Sequence, residues 1–205
     1  MPELPPNLRD LGGLPLVDGG STPSGRIWRS GMERDAPPQV WDGIRGLGIR
    51  TVVDLRNPEE RTGARAPDGI GVVPVPVERP DDPEYSTTWA ARWAEPGFYV
   101  WGMHRWPELW DAAFRSIAGA TAEPMLIHCA AGRDRTGFVV ALLLHAAGVT
   151  REAVLDDYRR GVRASLHRDI DDLVDGYAAE LDAILDRPLP ERWRGPVAAA
   201  AVRLR

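Results

Sequence analysis

The stretch that decides both fold and chemistry covers residues 126–137 and reads Leu126-Ile127-His128-Cys129-Ala130-Ala131-Gly132-Arg133-Asp134-Arg135-Thr136-Gly137. The apolar segment Met125–His128 precedes its reactive part and is typical of a short buried strand. Residues 132–137 are predicted to form a turn, and Phe138–Ala147 a helix that is apolar on nearly all sides and therefore buried. A strand, a loop of small residues and a helix in this order can turn backbone N–H groups inward and make a nest for an anion.

The side chains of this loop indicate phosphate chemistry. Cys129 lies at the bottom of the loop, where inward N–H groups, a helix N-terminus and arginines favour the thiolate, which is the nucleophilic form. Arg135, six residues further on, can reach back across the loop and grip two phosphate oxygens with its planar fork. The bland alternative is that Cys129 is a buried packing residue, which is common for a free cysteine.

The other residues of the loop are expected to have supporting or phosphate-binding roles. Thr136 would offer a hydroxyl near the sulfur, and His128 would hold the shape of the loop through the backbone rather than transfer protons. Arg133 could contact a second phosphate or pair with a surface carboxylate. The predicted phosphate-binding set is Ala130, Ala131, Gly132, Arg133, Asp134 and Arg135.

Composition excludes several classes of protein. The chain has 205 residues, enough for one domain over residues 1–205, and a formal net charge of −5, which argues against non-specific nucleic-acid binding. It has one cysteine, so an internal disulfide and a multi-cysteine zinc site are excluded. Neither an apolar run of roughly 20 residues nor a signal peptide is recognisable, so we expect a cytoplasmic protein without integral membrane association. With no clustered ligands, we expect neither a metal nor an organic cofactor.

Alternating strand and helix patterns predict an α/β fold with a central, largely parallel sheet flanked by helices. Strands are predicted at 26–29, 49–55 and 70–77, the last near an edge because Pro74 and Pro76 cannot donate to a ladder. Helices are predicted at 37–47, 109–118, after Thr150, and from Ser165 to Leu185, with a short one opening at Pro58.

The pattern His-Cys-x5-Arg-Thr-Gly resembles the signature of the cysteine-dependent protein tyrosine phosphatase superfamily. More narrowly, it is similar to a bacterial tyrosine-phosphatase-like family whose loops read His-Cys-x-x-Gly-Lys-Asp-Arg-Thr-Gly, with Arg133 replacing the lysine. Weaker matches extend the resemblance over residues 7–160; they are Asn7–Gly13, Trp28–Gly31, Val53–Arg56 with Glu59, and Asp157-Tyr158.

This resemblance implies a tyrosine-phosphatase-like fold and hydrolysis of phosphate monoesters through a phosphocysteine, without metal. Phosphotyrosine-type substrates are expected, with phosphoserine or phosphothreonine also open; the partner would be a phosphorylated protein or a phosphoinositide. The Asp-Arg-Thr ending also resembles phosphoinositide phosphatases, so an inositol-phosphate or lipid phosphatase is one alternative. An inactive phospho-binding module is another, and sulfur transfer or arsenate reduction is a third.

The general acid has two candidates. Many relatives place an aspartate on a separate loop, where Asp82 could serve, but Asp134 lies inside the phosphate loop as in the narrower family, and we favour it. Asp54 and Arg56 end a strand beside the loop strand and are expected either to support the loop or to form a surface ion pair. The tryptophan-rich region of about residues 79–106 is either plain core or a lid over the pocket.

Overall fold

The computed structural model describes residues 3–32, 36–61, 66–120, 124–164 and 171–205. One sheet runs through them and consists of β1 (Arg9–Asp10), β2 (Ile27–Gly31), β3 (Thr51–Asp54), β4 (Gly71–Pro74) and β5 (Met125–Cys129). The strand order is β1-β2-β5-β3-β4; β1 is antiparallel to β2 and the other pairs are parallel. The predicted α/β fold with a largely parallel sheet is therefore confirmed. Strand β4 lies at an edge of the sheet, as Pro74 and Pro76 predicted.

Strand β5 is the central strand of the sheet and ends at Cys129. All five of its residues are buried. Its register places Cys129 beside Gly31 of β2 and His128 beside Asp54 of β3. Because ligands bind beyond the carboxyl ends of parallel strands, this register brings three chain segments to one potential site.

Among the described residues, the α-helices are α1 (Pro38–Gly46), α2 (Pro96–Arg105), α3 (Pro107–Gly119), α4 (Asp134–Ala146), α5 (Arg151–Arg163), α6 (Asp171–Leu185) and α7 (Glu191–Ala201). Short 3₁₀ turns cover Pro58–Glu60 and Val202–Leu204, and a π-helical turn covers Tyr85–Trp89. The predicted helix Phe138–Ala147 begins earlier, at Asp134, and the strands predicted at 49–55 and 70–77 are shorter. The elements β1, α2 and α7 were not predicted. The start of the predicted Ser165 helix, residues 165–170, lies outside the described residues.

Hydrophobic side chains cover both faces of the sheet. Val52 and Leu126 point to one face, where Val40, Trp41 and Ile44 of α1 pack on them. The following residues, Val53 and Ile127, point to the opposite face, where the larger core contains residues of α2 to α7; these include Phe98, Trp110, Phe138, Leu142, Val154, Leu181 and Trp193. This alternation follows from the period of two along a strand. Within the described part of the chain, no helix has the length and apolarity that crossing a membrane requires.

Candidate active site

The loop between β5 and α4 is pressed against the end of β2. Cys129, which closes β5, is only 2% exposed. The Met32 backbone N–H lies 2.9 Å from the carbonyl oxygen of Cys129 and 2.8 Å from that of Ala130. Gly132 has φ of 67°, and a Cβ there would overlap the backbone of Ser30 and Gly31. Only glycine fits this position, so the loop is held in one tight conformation.

A buried ionic network holds the loop from behind. The Gly132 carbonyl oxygen accepts hydrogen bonds from Arg29 Nη2 at 2.7 Å and from Asn7 Nδ2 at 2.9 Å. Asp157 of α5 pairs with Arg29, which is fully buried, and with Arg9 Nε at 2.6 Å. Burial works against the charge of Asp157, but the two arginines outweigh it and lower its pKa. Three of the scattered sequence matches therefore meet behind the phosphate loop.

A second buried pair supports the base of the loop. Arg56 donates to Asp54 from Nε (2.9 Å) and Nη2 (2.8 Å) and to the Met32 carbonyl from Nη1 (3.0 Å). His128 Nε2 is 3.6 Å from Asp54 Oδ1, and His128 Nδ1 lies 3.1 Å from the carbonyl oxygen of Cys129. Burial is the main reason that the pKa of His128 falls to about 4. The imidazole of His128 is therefore uncharged at neutral pH. Asp54 and Arg56 form a buried ion pair, so the alternative of a surface ion pair is wrong.

The guanidinium of Arg135, in the first turn of α4, is held by carboxylates. Both Nη atoms pair with Glu60, Nη2 at 2.7 Å from Oε1, and Glu78 Oε1 lies 3.7 Å from Nε. Glu60 is oriented by the backbone N–H of Asn57, which donates to its Oε2 at 2.8 Å. Burial opposes the charge on Arg135, but Glu60, Glu78 and the Cys129 sulfur raise its pKa well above the usual value. Cys129 and Arg135 are thus electrostatic neighbours, as a nucleophile and a phosphate clamp must be.

The two candidate acids lie in different environments. Asp134 is 4% exposed and accepts hydrogen bonds from Arg133 Nε at 2.8 and 2.9 Å, yet burial raises its pKa. Asp82 instead accepts from Arg105 Nε (2.9 Å) and Trp106 Nε1 (3.0 Å) of the α2 end, and these bonds lower its pKa to about 2. A general acid must be protonated before it donates, and burial raises the pKa of Asp134 while the pKa of Asp82 is lowered, which is consistent with Asp134 as the acid.

The remaining loop residues differ in how deeply their side chains are buried. Ala130, Ala131 and Arg133 are half-buried, whereas Thr136 is fully buried. The Thr136 hydroxyl has no hydrogen-bond partner within the described residues. Over the same part of the chain, no group of three or more histidine, cysteine, aspartate or glutamate side chains could hold a metal ion.

Comparison with known proteins places this loop in a family. The family model described as "Tyrosine phosphatase family" matches residues 3–189. The chain belongs to the tyrosine phosphatase family. This matched range contains every element of the candidate site, from Asn7 to Asp157.

Two similar members of the tyrosine phosphatase family come from bacteria. A protein of Cupriavidus necator named as a tyrosine-protein phosphatase is 33% identical over 162 residues, which are 74% of this chain and 59% of that protein. The triple specificity protein phosphatase PtpB of Mycobacterium tuberculosis is 32% identical over 167 residues, or 66% of this chain and 60% of PtpB. The chain thus matches about three fifths of the length of these two relatives.

A solved structure shows the same fold at low identity. The Siw14 catalytic core from S. cerevisiae matches with a TM-score of 0.51 and 16% identity, covering 91% of this chain and 94% of that one. At this identity the match supports the architecture alone.

Two functional side chains escaped the sequence reasoning. Glu60 follows Asn57 by three residues, and this spacing, in which the Glu60 side chain binds the Asn57 backbone, is a capping-box signal that could have predicted its orientation. Glu78 directly follows the apolar run 72–77, but nothing local distinguishes a carboxyl that continues into the interior from one that turns to solvent. The partners of both depend on how α4 is placed in the tertiary structure.

Proposed function

We propose that this tyrosine phosphatase family member hydrolyses phosphate monoesters, phosphotyrosine first among them, through a phosphocysteine at Cys129. One observation carries the proposal: the thiol at the buried end of the central strand and the guanidinium of Arg135 at the start of α4 are electrostatic neighbours at the two ends of one short loop. A loop of small residues that leads into a helix N-terminus can attract an anion of phosphate size to this place.

Arg135 has one edge that makes no hydrogen bond within the described residues, although Glu78 lies 3.7 Å from its Nε. Glu60 occupies the edge formed by Nη1 and Nη2, which leaves the edge formed by Nε and Nη2 for two phosphate oxygens. Glu60 also fixes the plane of the guanidinium. A clamp that is oriented before the substrate arrives costs less entropy when phosphate binds.

The reaction then needs two displacements at phosphorus. The Cys129 sulfur attacks in line, the S–P bond forms, and the P–O bond to the leaving group breaks as Asp134 gives that oxygen a proton. Water then attacks phosphorus, Asp134 takes back a proton, and the S–P bond breaks to release inorganic phosphate and the thiolate. Arg135 and the loop N–H groups stabilise the equatorial oxygens in both steps.

The neighbourhood of Arg133 favours substrates with one phosphate. Arg133 binds both oxygens of Asp134, and its guanidinium carbon lies 5.7 Å from the ring centre of Trp93, which is 40% exposed. An arginine engaged in this way is less available to a second phosphate. An exposed indole near the loop mouth can pack against the ring of a phosphotyrosine. The name of PtpB records triple specificity, so substrates broader than phosphotyrosine are part of the test.

The deciding experiment assays the protein with a metal chelator on phosphotyrosine, phosphoserine and phosphothreonine peptides and on phosphoinositides. We expect turnover without metal, fastest on phosphotyrosine, and a loss of at least about a thousandfold in Cys129→Ser, because the nucleophile has no substitute. Circular dichroism and sulfate binding control for the fold of that variant.

Three outcomes would change the proposal. Substantial turnover by Cys129→Ser would exclude the phosphocysteine. Turnover of phosphoinositides alone would move the substrate to the lipid class. Tight binding of phosphopeptides with no turnover by the unmodified protein would make the chain a binding module.

A further inference from the structure

Glu78 is a buried carboxyl for which the two-step reaction above has no role. Its side chain is 8% exposed, and it lies four residues beyond β4, at the end of the parallel sheet where the loop between β5 and α4 begins. Its Oε2 accepts a hydrogen bond from Asn57 Nδ2 at 3.3 Å. Its Oε1 is buried and has no hydrogen-bond partner in the described ranges, although Arg135 Nε is 3.7 Å away.

The position of this unpartnered oxygen is specific. Arg135 offers two edges, and Glu60 holds the Nη1–Nη2 edge. Glu78 Oε1 therefore lies beside the Nε edge, which is the one left for phosphate. A phosphate dianion bound there would put two anions on one side of a single guanidinium, in a place from which water is largely excluded.

We propose that Glu78 takes up one proton from solvent when a phosphate group binds at Arg135 and that its neutral carboxyl then donates a hydrogen bond to that group. The inference rests on the proposed function, since it requires an oxyanion at Arg135. Protonation removes the repulsion and converts an unpaired acceptor into a donor, which a phosphate oxygen can accept.

The surroundings of Glu78 suit this exchange. Burial is the main cause that raises the pKa of Glu78, helped by Glu60 and opposed by Arg135. Hydrogen bonds and charge from Arg135 lower the pKa of Glu60 in spite of its burial, so Glu60 stays ionised. Tyr85 and Tyr99 stay as neutral phenols, because burial first and the charge of Glu78 second raise their pKa values. Among the ionisable groups near Glu78 in the described part of the chain, Asp134 also has a raised pKa and is therefore the rival for the proton.

The test measures proton uptake during sulfate binding to the Cys129→Ser protein. Sulfate remains a dianion across the range from about pH 5 to about pH 8, and the serine removes the thiol from the titration. Calorimetry in buffers of different ionisation enthalpy should show uptake approaching one proton, with sulfate affinity rising by up to about tenfold per unit fall in pH. Glu78→Gln in the same background should still bind sulfate but lose this uptake and this pH dependence.

Two further variants make the result specific. Asp81→Asn changes an exposed acid three residues along the same loop and should leave the uptake intact. Uptake that persists in Glu78→Gln, or that disappears in Asp134→Asn alone, would overturn the proposal. Absence of sulfate binding to the Cys129→Ser protein would count against the phosphate site itself, and thus against the proposed function.

A spectroscopic measurement covers the case in which Glu78→Gln does not fold. Infrared difference spectra of the Cys129→Ser/Asp134→Asn protein should gain a protonated-carboxyl band when sulfate is added, because Glu78 is still present. Sulfate binding without such a band would refute the inference.

Discussion

At the scale of single residues, the two candidate acids differ in what surrounds each carboxyl. Asp134 is buried beside the phosphate clamp, and desolvation favours its protonated form even though Arg133 and Arg135 oppose this. Asp82 is stabilised as an anion by Arg105 and Trp106. In the proposed mechanism the same residue type serves two purposes: Asp134 donates a proton at the loop, whereas Asp82 attaches its own segment to the end of α2.

The assignment of Asp134 as the acid predicts selective kinetic damage. Asp134→Asn should slow hydrolysis of an alkyl or tyrosyl phosphate by about a hundredfold or more, because a poor leaving group needs protonation. An ester with an activated leaving group should lose less than about tenfold. Asp82→Asn is the matched control and should affect both esters alike and weakly. Equal loss on both esters in Asp134→Asn, or selective loss in Asp82→Asn, would contradict the assignment.

The sequence predicted the loop residues better than their partners. The spacing between Cys129 and Arg135 is local, because one tight loop and the first turn of a helix contain both residues. Glu60 and Glu78 come from two other segments, and the packing of the whole sheet brings them to Arg135. Their roles could not be derived from their neighbours in sequence.

At the scale of elements, the phosphate loop is a junction between β2, β5, α4 and α5. Asp157 is the centre of this junction, since it binds an arginine of β2 and an arginine of β1 at once. Arg29 links Asp157 to the loop, because the guanidinium that pairs with Asp157 also donates a hydrogen bond to the carbonyl oxygen of Gly132. The position of α5 is thereby coupled to the conformation of the loop.

Asp157→Asn tests this coupling. Removing the charge leaves the fully buried Arg29 and the half-buried Arg9 without their anion, and we expect a loss of about 3–5 kcal/mol in the free energy of unfolding. KM for a phosphate ester should also rise, because the loop loses its support. Asp175→Asn, which removes an exposed partner of Arg159, should cost at most about 1 kcal/mol and leave KM unchanged. A change in stability alone, with KM unaltered, would mean that Asp157 does not position the loop.

The same variant should change the response to acid. Because the folded-state pKa of Asp157 is lowered, its ion pairs stabilise the protein above the unfolded-state pKa of about 4, and this stability is lost as pH falls through the folded-state pKa. Denaturant unfolding measured below about pH 4 should show a shallower pH dependence in Asp157→Asn than in the unmodified protein.

Helices were predicted less completely than strands, for reasons visible in the packing. Gly137 was taken as part of a turn, but it lies in α4, where a Cβ would come within 3.1 Å of the Tyr158 ring of α5. The absence of a side chain at Gly137 therefore allows α4 and α5 to pack closely. Helix α7 contains Gly195 and Pro196, which normally disfavour a helix, and burial of Trp193 and Val197 outweighs that preference. The free energy gained by burying these side chains depends on the helices that pack against α7, so the sequence of α7 alone does not reveal it.

At the scale of the whole molecule, the region of residues 79–106 divides into two parts. The second part, α2, buries Phe98, Tyr99 and Met103 in the larger core. This part of the region is therefore core, which was one of the two alternatives. The first part is more exposed, and Trp93 approaches the phosphate loop through Arg133. The lid alternative therefore applies to the segment before α2.

Limited proteolysis distinguishes these alternatives for residues 85–95. Arg92 and Arg194 are matched trypsin sites: their side chains are 56% and 55% exposed, and each pairs with a glutamate three residues away. If the segment closes over bound substrate, saturating phosphotyrosine should slow cleavage after Arg92 several-fold in the Cys129→Ser protein and leave cleavage after Arg194 unchanged. Equal slowing at both sites would indicate global stabilisation by the ligand, because cleavage through complete unfolding is suppressed everywhere at once. No slowing at either site, with phosphotyrosine shown to be bound, would mean that the tryptophan-rich segment is fixed surface and that the loop mouth stays open during turnover.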